Sequence, residues 1–397
     1  MMGVGLRKAA ALLVASFLAG GAPCARAQPG LEQDLARVEE LLQRGDLKNA
    51  EAQLLQLARL HPNSYIVRNN LGALYMQQRR YPEACREFTA AVNLDAQIAD
   101  VQRNLGACLF LSGAFERAIG PLRRAKSLDG DDPRTRYQLG YALLMLNRPQ
   151  EAQPEFEFVR SKMPEEERTL FALVKLYQAE GNQDRAAEAF AKLQGAHPDS
   201  PFVHVLLGES YDIQEKADAA AAEFRKAIEL APSMPRLHFD LGFLYWEVER
   251  FAEASTEFHK EIQINPAFAP AYHYLGEIAL TQDRPTEAAN FFKEAISRGP
   301  GCLGAYLGLG KAYMRTDKVS DAAKQFEQAN RLDGSQADVH YWLATTYRRL
   351  GDATRSEAEM RQFQTLRESA KATAAAKASG FERWANPACL SGLSSGF

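Results

Sequence analysis

The sequence predicts an all-α protein built from stacked helical hairpins, because three kinds of residue recur with one period. A Leu-Gly pair returns every 34 residues, or after 68 across one gap, and an alanine follows each of these glycines after twelve residues. A large apolar residue stands four positions after each alanine, at Phe88, Leu122, Phe156, Phe190, Phe224, Phe258, Phe292 and Phe326. Because self-similarity with a period of about 20 to 50 residues is typical of solenoids, this regularity predicts a stack of equal units.

Ten units fit this register, and each one is predicted to be a pair of helices. They start at Leu31, Tyr65, Ala99, Pro133, Glu167, Pro201, Pro235, Ala269, Leu303 and Ala337. Two apolar stretches of helical period in each unit are separated by a polar turn such as Glu180-Gly181-Asn182. Ser200 before Pro201 is typical of an N-cap followed by proline at the first helical position. Because helices this short are marginal alone, each hairpin must stack on its neighbours.

These in-register residues resemble the tetratricopeptide repeat family, whose units share the 34-residue period and the order of small and aromatic positions. The resemblance covers roughly residues 31 to 370 and implies a TPR-type α-solenoid, a right-handed superhelix of helical hairpins. The tryptophan common near the start of a unit is absent, and Val38, Val174 and Ala344 replace the glycine. Those three units are expected to pack more loosely or to lie at a bend.

The two ends of the register lose its markers, as the caps of a solenoid do. The predicted organisation is a signal peptide at 1–27, a degenerate first unit at 28–64, eight in-register units at 65–336, a degenerate last unit with a capping helix at 337–378, and a loose tail at 379–397.

The first 27 residues carry the features of a secretory signal. Arg7 and Lys8 precede an apolar stretch from Ala9 to Ala22, and Ala25-Arg26-Ala27 offers a small-x-small cleavage site before Gln28. This stretch is too short to span a bilayer readily, and no later segment is long and apolar enough to do so. We therefore expect cleavage after Ala27 and a periplasmic or secreted mature chain without a membrane span. An uncleaved N-terminal anchor is the alternative.

Composition and charge argue against several classes of function. The chain is 46% hydrophobic and 24% charged, with a formal net charge of −3, which is ordinary for a folded protein. A surface of this kind does not attract phosphate backbones strongly, so nucleic-acid binding is disfavoured. The cysteines beyond the signal show no CxxC spacing and the histidines are not paired, so neither a metal site nor a cofactor is predicted.

Cys85 and Cys108 permit one narrower hypothesis. They lie on the second helix of one unit and the first helix of the next, which should pack together. An oxidising compartment would permit a disulfide between them. The alternative, which the sequence favours because four cysteines in so long a chain are not a disulfide framework, is two small buried hydrophobic residues.

One face of the first helices carries the candidate binding residues. At about 100° per residue, positions 4, 7, 8 and 11 of a unit form the core face, and positions 2, 5, 9 and 12 lie opposite. Aromatic and cationic residues stand there instead of the usual polar ones, at Arg103, Arg134, Tyr137, Tyr141, Arg168, Phe171, Lys175, Phe239, Phe243, Trp246 and His273. The resemblance implies that this face lines a concave groove for peptides, here suited to apolar and acidic segments. The alternative is that the aromatic rings pack between successive first helices.

No pattern in the sequence predicts catalysis. Residues Gly392 to Gly396 fit the G-x-S-x-G nucleophile pattern, but they lie in the tail with no strand before them and no histidine after them. The segments outside the repeats are too short to fold into a catalytic domain. Some members of the resembled family clamp a C-terminal carboxylate with a lysine and an asparagine, and Asn69 and Ala73 do not supply that pair.

The sequence therefore predicts a non-catalytic, exported scaffold that binds another protein or an extended peptide segment in the cell envelope. A spacer or accessory subunit of a polysaccharide-export or secretion machine is the alternative, which a polar groove without affinity for peptides would favour. A repeat fold alone does not decide between them, because function belongs to sites on the fold.

Overall fold

The computed structural model describes residues 29–373, and this part of the chain contains 20 helices and no strand. The all-α prediction is therefore confirmed. The predicted signal peptide at 1–27, the predicted tail at 379–397 and the Gly392–Gly396 pattern lie outside the described residues.

The chain divides into two units, one ending at Leu176 and the other beginning at Tyr177. The helices up to the division are α1 (Pro29–Gln43), α2 (Leu47–Leu60), α3 (Tyr65–Gln77), α4 (Tyr81–Leu94), α5 (Ala99–Leu111), α6 (Phe115–Leu128), α7 (Pro133–Met145), α8 (Pro149–Lys162) and α9 (Glu167–Ala179), within which the division falls. From α1 to α8, each helix packs against the one that follows it.

The second unit continues the same alternation of a first and a second helix. Its helices are α10 (Gln183–Ala196), α11 (Pro201–Ile213), α12 (Ala217–Leu230), α13 (Leu237–Glu247), α14 (Phe251–Ile264), α15 (Ala269–Thr281), α16 (Pro285–Arg298), α17 (Leu303–Arg315), α18 (Val319–Leu332), α19 (Ala337–Arg349) and α20 (Ala353–Thr373). From α11 to α20, each helix packs against its successor, and the first helices α13, α15 and α17 also contact one another in turn.

The turn inside each hairpin has the same backbone conformation. A residue with positive φ follows every first helix at the same register position, at Gly45, Arg79, Gly113, Asn147, Gly181, Glu215, Glu249, Asp283, Asp317 and Gly351. The amide of this residue and the amide of the next residue donate hydrogen bonds to carbonyl oxygens of the first helix. For example, the Glu249 amide bonds to the Trp246 oxygen at 3.1 Å, and the Arg250 amide bonds to the Tyr245 oxygen at 2.8 Å. This left-handed helix end satisfies the last carbonyl groups and sets how the second helix returns on the first.

The glycine of each Leu-Gly pair lies against a side chain of the second helix in its own hairpin. A Cβ atom placed on Gly242 would lie 2.9 Å from Phe258 Cδ1 and 3.3 Å from the Ala254 carbonyl oxygen. Phe258 itself is fully buried. Glycine therefore lets the two helices cross closely enough for the phenylalanine ring to fill the crossing.

Cys85 and Cys108 form a disulfide, which corrects the sequence-based preference for two separate buried residues. Their Cα atoms are 5.6 Å apart, inside the range of about 4.4 to 6.8 Å that a disulfide requires. The bond joins α4 to α5 and so links consecutive hairpins. The number of cysteines could not indicate this pairing, because it depends on where two stacked helices bring two side chains together.

One repeat departs from the register at the start of its first helix. α13 begins at Leu237, and Arg236 before it adopts φ 77°. The Arg236 amide donates hydrogen bonds of 2.9 Å to both carboxylate oxygens of Glu261 on α14. Neighbouring repeats carry Ala227 and Ala295 at the position of Glu261. The fully buried glutamate therefore caps a helix whose own sequence does not supply a side-chain cap.

Glu261 should make the free energy of unfolding of the protein depend on pH. Burial raises the pKa of this carboxyl above its ordinary value of 4.5, so the folded state holds the proton more tightly than the unfolded chain. The resulting stability is fully present below that ordinary value and is lost as the pH rises through the folded pKa. We expect urea denaturation to show that the free energy of unfolding of the wild type falls relative to that of Glu261→Gln as the pH rises above the ordinary carboxyl pKa of 4.5.

The matched control for this comparison is Glu229→Gln, which removes an exposed carboxylate on the preceding second helix. A difference between wild type and Glu261→Gln that stays constant with pH, or that moves in favour of the wild type, would contradict the role of burial at Glu261.

Candidate functional site

The predicted aromatic stripe of the second unit comes together, but its rings are largely covered. The ring centres of Phe239 and Phe243 are 6.1 Å apart, and those of Phe243 and Trp246 are 5.8 Å apart. Tyr274 on α15 packs against the stripe, with its ring centre 4.9 Å from that of Trp246. Phe239 is 7% and Phe243 8% exposed. The stripe thus packs between successive first helices, the arrangement that the sequence left open as the alternative, and Trp246 is its half-buried member.

The predicted aromatic residues of the first unit are also packed inside the repeats. Tyr141 is buried with its ring centre 5.6 Å from that of Phe110, and Tyr137 lies 5.9 Å from Phe156. Burial raises the pKa of Tyr137 far above the ordinary tyrosine value. Phe171 on α9 is buried as well. These rings offer a partner little surface in this conformation.

The predicted cations differ in how far the protein itself neutralises them. Arg103 contacts the carboxylates of Asp100, Asp129 and Asp132 at 2.5, 2.9 and 2.8 Å, and its side chain is only 15% exposed. Arg134 is exposed and lies 3.2 Å from Asp132. Because Arg103 is paired three times within the chain, it contributes less to any external partner than its place in the sequence suggests. Arg168 is exposed and Lys175 is half-buried, and their role in binding stays a prediction.

His273 lies inside the second unit next to a charged surface. It is 7% exposed, and its Nδ1 atom has no hydrogen-bond partner among the described residues. The rings of Tyr274 and Phe292 lie 5.0 and 5.8 Å from its own. Burial lowers the pKa of His273, with Lys311 adding to the effect. The imidazole is therefore neutral near pH 7.

A cavity of about 510 Å³ opens on the first helices of the last three repeats. We call it the C-terminal cavity. It is lined by Glu277, Leu280 and Thr281 of α15, by Lys311, Met314 and Arg315 of α17, and by Trp342, Thr345 and Arg349 of α19. Most of these residues occupy positions 9, 12 and 13 of their repeats. The cavity therefore lies on the face where the sequence predicts binding, but in repeats that contain only one predicted binding residue, His273.

Position 9 places a row of three different polar groups across this cavity. Glu277, Lys311 and Thr345 occupy that position in successive repeats. Among the described residues, neither the Glu277 carboxylate nor the Lys311 ammonium has an ion-pair partner within 4 Å, and Thr345 Oγ1 is buried without a hydrogen bond. Half-buried charges on the wall of an open cavity are available to groups of opposite charge on a ligand. The row can therefore bind a group of opposite charge at two points, and rotation of the Thr345 side chain would offer a hydroxyl group at the third.

The two arginines of the cavity are already engaged by the protein. Arg315 donates to the Leu280 carbonyl oxygen at 2.5 Å and lies 3.5 Å from Asp283. One repeat later, Arg349 donates hydrogen bonds to the Met314 carbonyl oxygen at 3.2 Å and to the Asp317 carboxylate at 2.6 Å. Each arginine thus ties its helix to the end of the preceding first helix, so that these bonds hold the walls in place while their charges are paired.

An aromatic surface forms the apolar part of the cavity. Trp342 is half-buried and stacks on Phe326 of α18, with ring centres 5.8 Å apart. The Lys311 ammonium lies 5.8 Å from the centre of the Trp342 ring. Met314 and Leu280 are buried beside it. An apolar side chain entering the cavity would therefore meet an indole ring, the thioether of Met314 and the isobutyl group of Leu280, which is the composition of an energetically important contact.

The cavity lies on the predicted face, but none of its lining residues is among the predicted binding residues. The rule of positions 2, 5, 9 and 12 includes Lys311 and Thr345, whereas Trp342 stands at position 6. Selecting aromatic residues pointed instead to stripes that bury each other. An arginine at position 13 in two successive repeats, Arg315 and Arg349, is a signal that could have pointed here.

Two further properties of the described residues bear on the site. Each helix within residues 29–373 is either too short or too polar to cross a bilayer. In the same residues, no cluster of three or more His, Cys, Asp or Glu side chains has an arrangement that could hold a metal ion.

Family models match most of the chain. One model described as "Tetratricopeptide repeat" matches residues 35–97, 74–133, 137–201, 171–235 and 239–301, and a second with the same description matches residues 279–344. No curated protein matches the sequence.

Several solved structures resemble the chain at low sequence identity. The APC/C hetero-tetramer Cut9–Hcn1 superposes with a TM-score of 0.55 at 12% identity, over 88% of this chain and 81% of that chain. The human IFIT1 dimer with m7Gppp-AAAA gives 0.48 at 16% identity, over 83% and 80% of the two chains. Pseudomonas aeruginosa pilF gives 0.47 at 16% identity, over 56% of this chain and 97% of that chain. At such identities the likeness concerns the fold alone.

Proposed function

Because the chain belongs to the tetratricopeptide repeat family, we propose that it is a non-catalytic scaffold that binds protein or peptide segments, and that the C-terminal cavity is one of its binding sites. The observation that carries this proposal is the row of unpaired polar groups beside an accessible indole ring, Glu277, Lys311 and Thr345 next to Trp342. An extended polypeptide supplies the matching groups, because its main chain offers donors and acceptors and its side chains offer apolar contact.

We also propose that the protein works outside the cytoplasm, in the periplasm or beyond. Two independent features support this. Residues 1–27 have the charge, the apolar stretch and the cleavage site of a secretory signal. The Cys85–Cys108 disulfide joins consecutive hairpins, and structural disulfides persist in oxidising compartments and are rare in the cytosol.

The binding proposal is tested with a library of random dodecapeptides displayed on phage and selected on the purified protein. We expect enriched peptides to lose affinity by about 30-fold or more in Trp342→Ala, because a central aromatic anchor typically accounts for a binding loss of this size. Isothermal titration of the enriched peptides with wild type and variant measures the effect.

Two further variants keep this test decisive. Trp246→Ala is the matched control, since it removes the same ring from the aromatic stripe and should leave binding unchanged. Thr345→Arg fills the cavity without removing the stack of Trp342 on Phe326, and it should abolish binding even if Trp342→Ala folds poorly. Peptides that bind all three variants as tightly as wild type would exclude the cavity as the site. Selection that enriches no peptide would favour the spacer role over a peptide receptor.

A further inference from the structure

We propose that the C-terminal cavity selects extended segments in which an acidic and a basic side chain stand two to four residues apart, with an apolar residue nearby. This inference rests on the proposed peptide-binding function and specifies the partner. It differs from the acidic and apolar segment that the cations of the aromatic stripes suggested from sequence.

The first step is the charge that the cavity leaves unsatisfied. Arg315 and Arg349 are paired with Asp283 and Asp317, so these four charges cancel. Glu277 and Lys311 remain, with opposite signs and without ion-pair partners among the described residues. A segment with only acidic side chains would satisfy Lys311 and be repelled by Glu277. A segment that carries both signs satisfies both groups.

The second step is the burial of these two groups. Both side chains are half-buried on the wall of a cavity, where the effective dielectric is lower than at an open surface. Charge-assisted hydrogen bonds formed there are stronger than those between neutral groups. Opposite charges on the partner therefore contribute to choosing that partner as well as to holding it.

The third step is the spacing. Glu277 and Lys311 stand at the same register position on α15 and α17, and these two helices contact each other. Axes of packed helices lie about 8 to 10 Å apart, and an extended chain advances about 3.3 Å per residue. Side chains on one face of the segment recur every second residue, so a separation of two to four residues brings one charge to each helix.

The fourth step is the apolar and main-chain contact that orients the segment. Trp342 offers its ring beside Lys311, and Met314 can adapt to the shape of an entering side chain. Rotation of the Thr345 side chain would bring its Oγ1 atom, which is buried without a hydrogen bond, to a main-chain amide or carbonyl group of the segment. One apolar residue near the charged pair therefore completes the contact.

Charge reversal tests this inference. The dodecapeptide of highest affinity from the selection is compared with a counterpart in which its acidic and basic residues are exchanged, on wild type, on Lys311→Glu, and on the double variant Glu277→Lys with Lys311→Glu. We expect the exchange to weaken binding to wild type by at least about tenfold and to strengthen binding to the double variant by a similar factor. Lys311→Glu should bind both peptides weakly. The double variant keeps the net charge of the protein, so it controls for long-range effects.

The outcomes separate this inference from the proposed function. If the two peptides bind wild type equally, or if the double variant does not reverse the preference, the charge-pair rule is wrong. If binding is nevertheless lost in Thr345→Arg, the cavity is still a peptide site and the proposed function stands. If no peptide is enriched, both the proposed function and this inference fail.

Discussion

Removal of the Cys85–Cys108 disulfide is expected to lower the free energy of unfolding by about 3 kcal/mol. The two cysteines are 23 residues apart in sequence, and a cross-link of that span removes a corresponding amount of chain entropy from the unfolded state. The bond also joins α4 to α5. Because each repeat of a solenoid depends on the interface with its neighbour, the loss should concentrate in the repeats on either side of this interface.

The variant that tests this is Cys85→Ser with Cys108→Ala. Cys108 is fully buried, so alanine avoids leaving a hydroxyl group without a partner there, whereas half-buried Cys85 tolerates serine. Urea denaturation followed by circular dichroism measures the free energy, and hydrogen exchange of α4 and α5 shows where stability is lost. The single variants Cys85→Ser and Cys108→Ala should each be about as unstable as the double one, since either change opens the loop.

Peptide mapping after thiol alkylation without reductant provides the independent check. Unlabelled Cys85 and Cys108 in protein purified from its native compartment are expected. Two labelled thiols at these positions, together with a double variant as stable as wild type, would remove both the bond and the support that it lends to export.

The repeat period predicts the hairpins because one physical demand is repeated in every unit. Each first helix must approach its second helix closely, which requires a glycine such as Gly242 opposite a ring such as that of Phe258. Local departures from the repeat are not predicted by its period. α13 starts at Leu237 because buried Glu261 on another helix binds the amide of Arg236, and no pattern within one helix shows such a contact.

The candidate site could be predicted only as a face of the first helices. Periodicity gives the direction of a side chain but not what lies beyond it. Phe243 points as expected, yet Tyr274 of the next first helix packs against it. Lys311 points the same way and borders open space. The repeat after Lys311 carries Trp342 at the register position that Tyr274 occupies after Phe243, so the register alone does not distinguish the covered position from the open one.

Gly242→Leu should destabilise the protein by about 1 to 3 kcal/mol, because it inserts a side chain into a filled helix crossing. The Cβ atom alone would stand 2.9 Å from the Phe258 ring and 3.3 Å from a backbone oxygen. The ring is enclosed and the oxygen belongs to a helix, so neither can move aside without separating α13 from α14. Urea denaturation gives the free energy of unfolding. An unfolding curve identical to that of the wild type would show that this crossing is not tight.

Gly195→Leu is the matched control, since Gly195 is also helical but a Cβ atom placed on it would have no neighbouring atom within 4 Å. That change should stabilise the protein by up to about 1 kcal/mol, because leucine favours a helix more than glycine does.

A double-mutant cycle measures the energetic coupling between Gly242 and Phe258. Phe258→Ala alone should cost about 3 to 5 kcal/mol, but Gly242→Leu added to it should cost less than in wild type, because the removed ring leaves room for the new side chain. If the two changes in the free energy of unfolding simply add, Gly242 and Phe258 do not share the crossing. The close approach of the paired helices would then not explain the regular period of this chain.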